Sequence, residues 1–314
     1  MCKITVFTPT YNRAYILGQA YESLKNQTNK NFVWLIIDDG SNDNTEELVN
    51  KWENEQKINI KYIKQENSGK HIAHNTAVKN CDTEFLLILD SDDYLSKNAI
   101  EILEKEAEKI SSMSNISGII GSRYNTKTKQ VIGTKMPDKI QYASAIELYE
   151  KYKFKGDTLR LYKTSILKEF LFPEIENEKF IYENVIFDQI DNRYKMLIDR
   201  HELYYGEYLE DGYTNNELKI KLNNPYGYLL SLNSSIKYSI KISNKVKWTI
   251  LYIIWEKILK KNGYSIFYNK MLYIIMYPIA DIFYKCKKPS KILKNLEVYQ
   301  KTATQGGING ERIN

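Results

Sequence analysis

The chain has 314 residues, of which 43% are hydrophobic and 27% charged, so it can bury a substantial core as one large domain or as a domain with an appendage. Its three cysteines are too scattered for a disulfide framework or a cysteine-based metal site. The N-terminus lacks a long apolar stretch behind a basic start, unlike a secretory signal. We therefore expect a cytoplasmic protein.

The first third of the chain predicts alternating strands and helices. Short apolar runs favour strands, and apolar residues three or four apart favour helices. In chain order, we predict a strand over 3–9, a helix over 15–27, a strand over 32–39, a helix over 44–55, a strand over 58–64, a helix over 71–79, a strand over 85–90 and a helix over 98–110. Strands this continuously apolar indicate an α/β fold with a doubly wound, mostly parallel sheet covered on both faces.

A polar cluster follows each predicted strand. The clusters read TPTYNR, DDGSND, ENSGK and DSDD in chain order. Sheets of this kind bind ligands outside the carboxyl ends of their strands. Turn chemistry and helix punctuation are the simpler explanation for any one cluster. Four clusters at one sheet edge favour a ligand site.

The ligand that best fits these clusters is a metal-held nucleotide diphosphate. The chain has neither G-x-G-x-x-G after its first strand nor G-x-x-x-x-G-K-[ST], so the ordinary dinucleotide and P-loop sites lack support. Asp90, Ser91 and Asp92 offer the hard oxygen ligands that Mg²⁺ or Mn²⁺ prefers. The run Ser68-Gly69-Lys70, at a helix start, could give amide donors and a cation to the diphosphate. Asp39 could accept a hydrogen bond from the base.

The ordered motifs TPTYNR, IIDDGSNDNT, ENSGKHIAHNTAV and LILDSDDYL resemble glycosyltransferase family 2, an inverting group with the GT-A fold. The resemblance is close over residues 3–110 and looser to about residue 211. It implies a metal-dependent transfer of a sugar from a nucleotide-diphosphate sugar, most often a UDP-sugar. The implied acceptor is a glycan or a polyprenyl-diphosphate-linked glycan of a bacterial surface polysaccharide, such as capsule or lipopolysaccharide.

The resemblance also implies roles for individual residues. Asp90 and Asp92 would frame the diphosphate and an Mn²⁺ or Mg²⁺ ion, with Asp92 as the direct ligand. His74 stands where many family members have arginine. The nucleotide-sugar contacts implied are Thr8, Pro9, Tyr11, Arg13, Asp39, Gly69, Lys70, His74, Asn75, Asp90, Ser91 and Asp92.

An inverting transfer needs a base that removes the acceptor hydroxyl proton. The resemblance places this base in KFIYENVIFDQID, residues 179–191, where Glu183 is our first choice and Asp188 the reserve. Asn184 stands where many family members have a second acid. A helix-start acid that favours the helix dipole is the structural alternative for Glu183. The residues implied to touch the donor sugar or the acceptor are Asp93, Gly156, Asp157 and Arg160.

The C-terminal region differs in charge from the rest. Residues 237–294 carry a balance of +11, whereas the whole chain carries +6. We predict a GT-A domain over 1–222, with a nucleotide-sugar half over 1–110 and an acceptor half over 111–222. A helical basic region over 223–314 follows, with a poorly ordered end.

Two apolar blocks of the basic region, 248–259 and 271–284, are too short or too interrupted to span a bilayer. Lysines beside them suit an interfacial helix on an anionic membrane, at the inner face of the cell membrane. A helical cap on the catalytic domain is the alternative. No motif supports nucleic-acid binding.

Two other function classes stay open at this level. A nucleotidyltransferase also uses a doubly wound sheet and carboxylate-bound metal, but it would want a glycine-rich basic loop where TPTYNR stands. A non-catalytic glycan-binding or scaffold protein could keep a degenerate transferase fold.

Overall fold

The computed structural model describes residues 3–208, 217–259 and 269–287. The strands are β1 (Ile4–Thr10), β2 (Phe32–Asp38), β3 (Asn59–Lys64), β4 (Phe85–Ile88), β5 (Tyr94–Leu95), β6 (Ile116–Asn125), β7 (Tyr142–Ala143), β8 (Thr158–Lys163), β9 (Lys195–Ile198) and β10 (Tyr204–Gly206). The helices are α1 (Ala14–Lys25), α2 (Thr45–Glu55), α3 (Lys70–Lys79), α4 (Ala99–Ile110), α5 (Ala145–Glu150), α6 (Thr164–Leu167), α7 (Asn184–Arg193), α8 (Glu217–Asn223), α9 (Pro225–Tyr238), α10 (Ile242–Ile258) and α11 (Lys270–Lys287).

The central sheet runs in the order β3-β2-β1-β4-β8-β6-β10-β5, and β9 pairs with both β6 and β7. Strands β1 to β4 are mutually parallel, as predicted. Strand β8 is antiparallel to β4 on one side and to β6 on the other. It joins the nucleotide-side strands to the strands contributed by the second part of the chain.

Both faces of the sheet are covered because side chains alternate along each central strand. In β2, Trp34 and Ile36 pack with α1, α2 and α4, whereas Leu35 and Ile37 pack with α3 and α7. Strand β3 departs from the prediction of two-sided burial, since it is an edge strand with half-buried or exposed residues throughout. Strand β4 ends at Ile88, two residues before the predicted end.

The C-terminal helices pack onto the first part of the chain and onto one another. Both carboxylate oxygens of Glu178 accept backbone N–H groups at the start of α9, from Tyr226 and Gly227 at 2.5 Å each. A third apolar cluster then joins α8 to α11. These contacts fit the alternative of a helical cap on the first part of the chain, and the division at residue 222 stays a prediction.

Neither predicted apolar block spans a bilayer: none of the helices described is long and apolar enough to cross one. The block over 248–259 lies at the end of α10 and the block over 271–284 lies within α11, which continues through Pro278. The predicted poorly ordered end lies outside the described residues.

Candidate active site

A cleft of about 2860 Å³ opens at the carboxyl ends of β1, β2 and β4, where the sequence placed a ligand. Parallel strands bring these ends to one edge, so the predicted clusters meet there. The predicted residues that line the cleft are Pro9, Tyr11, Arg13, Asp39, Gly69, Lys70, His74, Asp90, Ser91, Asp92, Asp93, Asp157, Arg160, Glu183 and Asp188. Their individual roles stay predictions.

Three acids meet in the turn after β4. Asp90, Asp92 and Asp93 each bring a carboxylate oxygen within 4.8 Å of the others. Burial, and then the negative charge of Asp90, raise the pKa of Asp92. Like charges this close repel one another, and a divalent cation with oxygen ligands would relieve the repulsion. The donor set therefore fits Mg²⁺ or Mn²⁺.

Asp93 differs from its predicted role as a sugar contact. Its side chain is 1% exposed, accepts a 2.5 Å hydrogen bond from Arg123 and also accepts one from the Tyr204 hydroxyl. Arg123 donates in addition to Asp157, at 2.9 Å. A carboxylate held by a guanidinium and a phenol has little capacity left for a sugar. Asp93 thus supports the turn, and Asp90 and Asp92 remain to face the cleft.

A lysine links the acidic turn to the predicted base. The Lys70 Nζ atom lies 2.8 Å from Asp90 Oδ1 and 3.1 Å from Glu183 Oε1. Lys70 is the first residue of α3, where the helix dipole disfavours a positive charge, so the two carboxylates offset that cost. The positive charge of Lys70 is the main cause that lowers the pKa of Glu183. Glu183 is thereby kept ionised, as a base must be.

The reserve base, Asp188, has a different environment. Its Oδ2 atom accepts hydrogen bonds from Asn184 Nδ2 at 3.2 Å and from Ser234 Oγ at 3.1 Å. Burial, and then the charge of Asp191, raise the pKa of Asp188 to about 7. Asp188 therefore joins α7 to α9, whereas the side chain of Glu183 is 53% exposed. The geometry favours Glu183.

The anion-binding role predicted for the Ser68-Gly69 amides is not what the structure shows. The Ser68 amide donates to Asp39 Oδ1 at 2.9 Å, and the Gly69 amide donates to Asp39 Oδ2 at 2.7 Å. Gln65 Nε2 donates to Oδ1 as well, at 2.8 Å. Because the Ser68 and Gly69 amides already donate to Asp39, Lys70 is the residue of the segment 68–70 that could bind a diphosphate. Asp39 holds the turn at the base of the predicted nucleotide site.

Three predicted contact residues do not line the cleft. Thr8 is buried and accepts a hydrogen bond from Trp34 Nε1 at 2.9 Å. Asn75 is buried and exchanges two 2.9 Å hydrogen bonds with the backbone of Phe172. At Gly156, with φ of +118°, an added Cβ would lie 1.9 Å from the Ile132 carbonyl oxygen. The first two residues brace the cleft from behind, and Gly156 is glycine because its backbone requires it.

His74 cannot replace the positive charge of an arginine. It is buried among Phe7, Phe172 and Phe187, with ring centroids 5.2–6.0 Å away. Burial lowers the pKa of His74 to about 4, so the imidazole is neutral near pH 7. Cations nearby are Lys70 and Arg160, whose guanidinium lies 4.8 Å from the centroid of the Phe187 ring.

Sequence reasoning missed several residues around the site. Arg123 and Tyr204 hold Asp93, and Phe172 holds Asn75 and packs against His74. Lys179 lines the cleft and donates to Asn67 Oδ1 at 2.6 Å. Each partner lies between 30 and 112 positions away along the chain, and no local pattern marks such pairs.

Sequence comparison identifies relatives among glycosyltransferases. An uncharacterized glycosyltransferase of Rickettsia felis is 40% identical over 107 residues, which are 34% of this chain and 17% of that protein. Poly(ribitol-phosphate) beta-N-acetylglucosaminyltransferase TarS of Staphylococcus aureus is 27% identical over 232 residues, 69% of this chain and 38% of TarS. The matches thus span well under half of these relatives' length.

Structural comparison confirms the GT-A fold. Residues 1–349 of S. aureus TarS in complex with UDP-GlcNAc match with a TM-score of 0.57 at 21% identity, covering 97% of this chain and 92% of that one. The mannosyltransferase PcManGT from Pyrobaculum calidifontis, in complex with GDP-Man and Mn²⁺, matches with a TM-score of 0.55 at 13% identity, covering 99% and 88%.

The family model named glycosyl transferase family 2 matches residues 5–171, more than half of the chain. That match leaves the nucleotidyltransferase alternative without support. With the acidic turn and the cleft at the strand ends, it indicates an enzyme that uses a nucleotide-sugar donor. The chain belongs to glycosyltransferase family 2.

Proposed function

We propose that this glycosyltransferase is an inverting, metal-dependent enzyme that takes its sugar from a UDP-sugar. The observation that carries the proposal is the position of Lys70 between Asp90 and Glu183, at 2.8 and 3.1 Å. Through Lys70, Asp90, which is predicted to face the metal, and Glu183, the predicted base, meet at one point of the cleft. The UDP-GlcNAc complex of TarS supports a uridine nucleotide, and the GDP-Man complex of PcManGT supports the general site.

The residues of the cleft have separable tasks in this proposal. Asp92 and Asp90 would hold Mn²⁺ or Mg²⁺, whose charge would stabilise the departing diphosphate. Pro9, Tyr11 and Arg13 line the nucleotide side of the cleft. Glu183 accepts the proton of the acceptor hydroxyl as that oxygen attacks the sugar carbon from the face opposite the leaving group.

The proposed acceptor is a hydroxyl group of a bacterial surface polymer. TarS, by its name, acts on poly(ribitol-phosphate), which supports a surface polymer as the acceptor class. A capsule or lipopolysaccharide glycan, free or attached to a polyprenyl diphosphate, belongs to the same proposal. In each case the site must accept one hydroxyl oxygen beside Glu183.

We also place the enzyme at an anionic membrane surface, through helix α11. The exposed apolar side chains of this helix follow a helical spacing of three, four and seven residues: Met271, Ile274, Ile275 and Ile282 are 72%, 70%, 50% and 62% exposed. The stripe is about 17 Å long at 1.5 Å per residue. Lysines stand in the sequence on both sides of it, at 270, 285, 287 and 288, and further before it at 260 and 261. An apolar stripe between lysines complements an anionic bilayer.

Donor hydrolysis tests the central proposal. A panel of UDP-, GDP- and dTDP-sugars would be incubated with the full chain, with Mn²⁺ or with EDTA. We expect slow release of UDP from one donor, dependent on metal and lost in Asp92→Ala. Asp82→Ala, which removes an acid with a 91% exposed side chain outside the cleft, should behave like wild type. The proposal would be contradicted if the protein showed no hydrolysis of any donor and no metal-dependent binding of any donor.

A further inference from the structure

Lys70 holds an unusual position for a lysine. It begins α3, where the helix dipole repels positive charge, and its side chain is only 23% exposed. Burial disfavours the ammonium further. The carboxylates of Asp90 and Glu183, at 2.8 and 3.1 Å from its Nζ atom, offset both effects. Lys70 is therefore a firmly charged cation inside an acidic edge.

Two other cations that line the cleft, Arg123 and Lys179, already have other partners. Arg123 binds Asp93 and Asp157, and Lys179 donates to Asn67. Among the described residues, Lys70 is the cation within salt-bridge distance of Asp90, and also of Glu183. Its ammonium lies where a metal ion beside Asp90 and Asp92 would be close to it. Two cations that share one carboxylate repel each other.

We propose that Lys70 is a placeholder cation that neutralises Asp90 while the donor site is empty and turns to the donor diphosphate when the donor binds. The exchange frees Asp90 to face the metal and moves positive charge away from Glu183. This inference rests on the function proposed above. It goes beyond that function by coupling donor loading to the release of both the metal-facing acid and the base.

The coupling predicts effects of opposite sign on two ligands. Without the Lys70 ammonium, Asp90 and Asp92 keep their full negative charge, so Mn²⁺ alone should bind more tightly. The diphosphate loses a cationic partner, so UDP should bind the Mn²⁺-loaded protein more weakly. A lysine that only stabilised the fold would change both affinities in the same direction or neither.

The test measures binding to the full chain by titration calorimetry, first with MnCl₂ alone and then with UDP in saturating MnCl₂. For Lys70→Met we expect Mn²⁺ to bind about tenfold more tightly and UDP about tenfold more weakly. Lys70→Gln should show the same two changes in affinity. It replaces Lys70→Met in the test if the methionine variant does not fold. Lys64→Met removes a lysine that pairs with Glu46 at 2.7 Å and does not line the cleft, and it should change neither affinity.

A double variant locates the effect. Adding Asp92→Ala to Lys70→Met should abolish the gain in Mn²⁺ affinity, because the gain depends on the acidic turn. Unchanged or weaker Mn²⁺ binding by both Lys70 variants, with Mn²⁺ binding intact in wild type, would overturn the placeholder role alone. Absence of both Mn²⁺ and UDP binding in wild type would overturn the proposed function and this inference together.

Discussion

The carbonyl oxygen of Lys179 sits directly against the Cα atom of Gly69, so closely that a Cβ at Gly69 would be 1.9 Å from it. Gly69 also has φ of +98° and ψ of 158°, a region that only glycine readily adopts. The contact presses the segment before α7 onto the start of α3. It thereby places Glu183 and Lys70 side by side.

Gly69→Ala should therefore destabilise the protein by about 3 kcal/mol or more, from backbone strain together with overpacking. Gly18→Ala is the matched control, because Gly18 lies inside α1 and an added Cβ meets nothing within 4 Å. There alanine should stabilise by about 0.5–1 kcal/mol. Urea unfolding of both variants checks the prediction. Equal stabilities would mean that the Lys179 segment moves aside without cost.

The parallel strands and their helices were predictable because local signals and global fold agree there. Apolar runs that end in Pro9, Asp39 and Asp90 mark where three central strands stop, and the predicted bounds lie within about two residues of the observed ones. The strand ends then meet at one edge through sheet geometry alone. For that reason the polar clusters of the sequence located the cleft correctly.

The roles of individual side chains within the cleft were less accessible. Asp39 and the Ser68-Gly69 amides were each assigned to an external ligand, but they satisfy one another. Asp93 stands beside Asp90 and Asp92, which are proposed to face the metal, yet Asp93 accepts a hydrogen bond from Arg123, 30 positions later. A sequence shows which groups can bind, whereas their partners depend on contacts between distant elements.

Glu183→Gln should reduce donor hydrolysis by a factor of about 10² to 10⁴, because the amide cannot take the proton. Binding of UDP should stay within a few-fold of wild type. Asp188→Asn is the matched control: Asp188 is already hydrogen-bonded by Asn184 and Ser234, so the variant should keep most of its activity. Initial rates of UDP release would be compared for the three proteins. A loss in Asp188→Asn as large as in Glu183→Gln would assign the base to Asp188 instead.

Helix α11 gives a prediction for membrane attachment. The pair Ile274→Asp and Ile282→Asp, made together, should abolish flotation with vesicles of mixed phosphatidylcholine and phosphatidylglycerol. Both side chains are more than 60% exposed, so the changes should hardly affect stability. Wild type should bind these vesicles and should bind pure phosphatidylcholine much less, since lysines contribute about 1 kcal/mol each near an anionic surface.

The control for that experiment is Leu171→Asp, which places one negative charge, half of that added to α11, at an apolar residue 37% exposed elsewhere on the chain. It should float with the vesicles as wild type does. If the α11 variant still floats, the stripe does not face lipid. If wild type does not float but forms dimers that the α11 variant lacks, the stripe is an interface between two copies of the chain.

The two buried histidines predict a pH dependence of stability with a definite sign. Burial lowers the pKa of both His71 and His74 to about 4, against about 6.5 in an unfolded chain. Because the folded-state pKa is depressed, the unfolded chain binds protons first as the pH falls. The stabilising contribution is thus present above about pH 6.5 and is lost as the pH falls towards 4.

Phenylalanine suits the aromatic neighbours of His74. Between pH 7 and pH 5, the free energy of unfolding of His74→Phe should fall by about 2 kcal/mol less than that of wild type. Urea unfolding of wild type and variant at both pH values gives this difference. Burial raises the pKa values of Asp188 and Asp191 to about 7 and 6, so these two acids make the folded protein more stable as the pH falls. Wild type and His74→Phe share this contribution, so it cancels in the difference between them. A His74→Phe variant that loses as much stability as wild type would show that the His74 imidazole is protonated in the folded protein at pH 5.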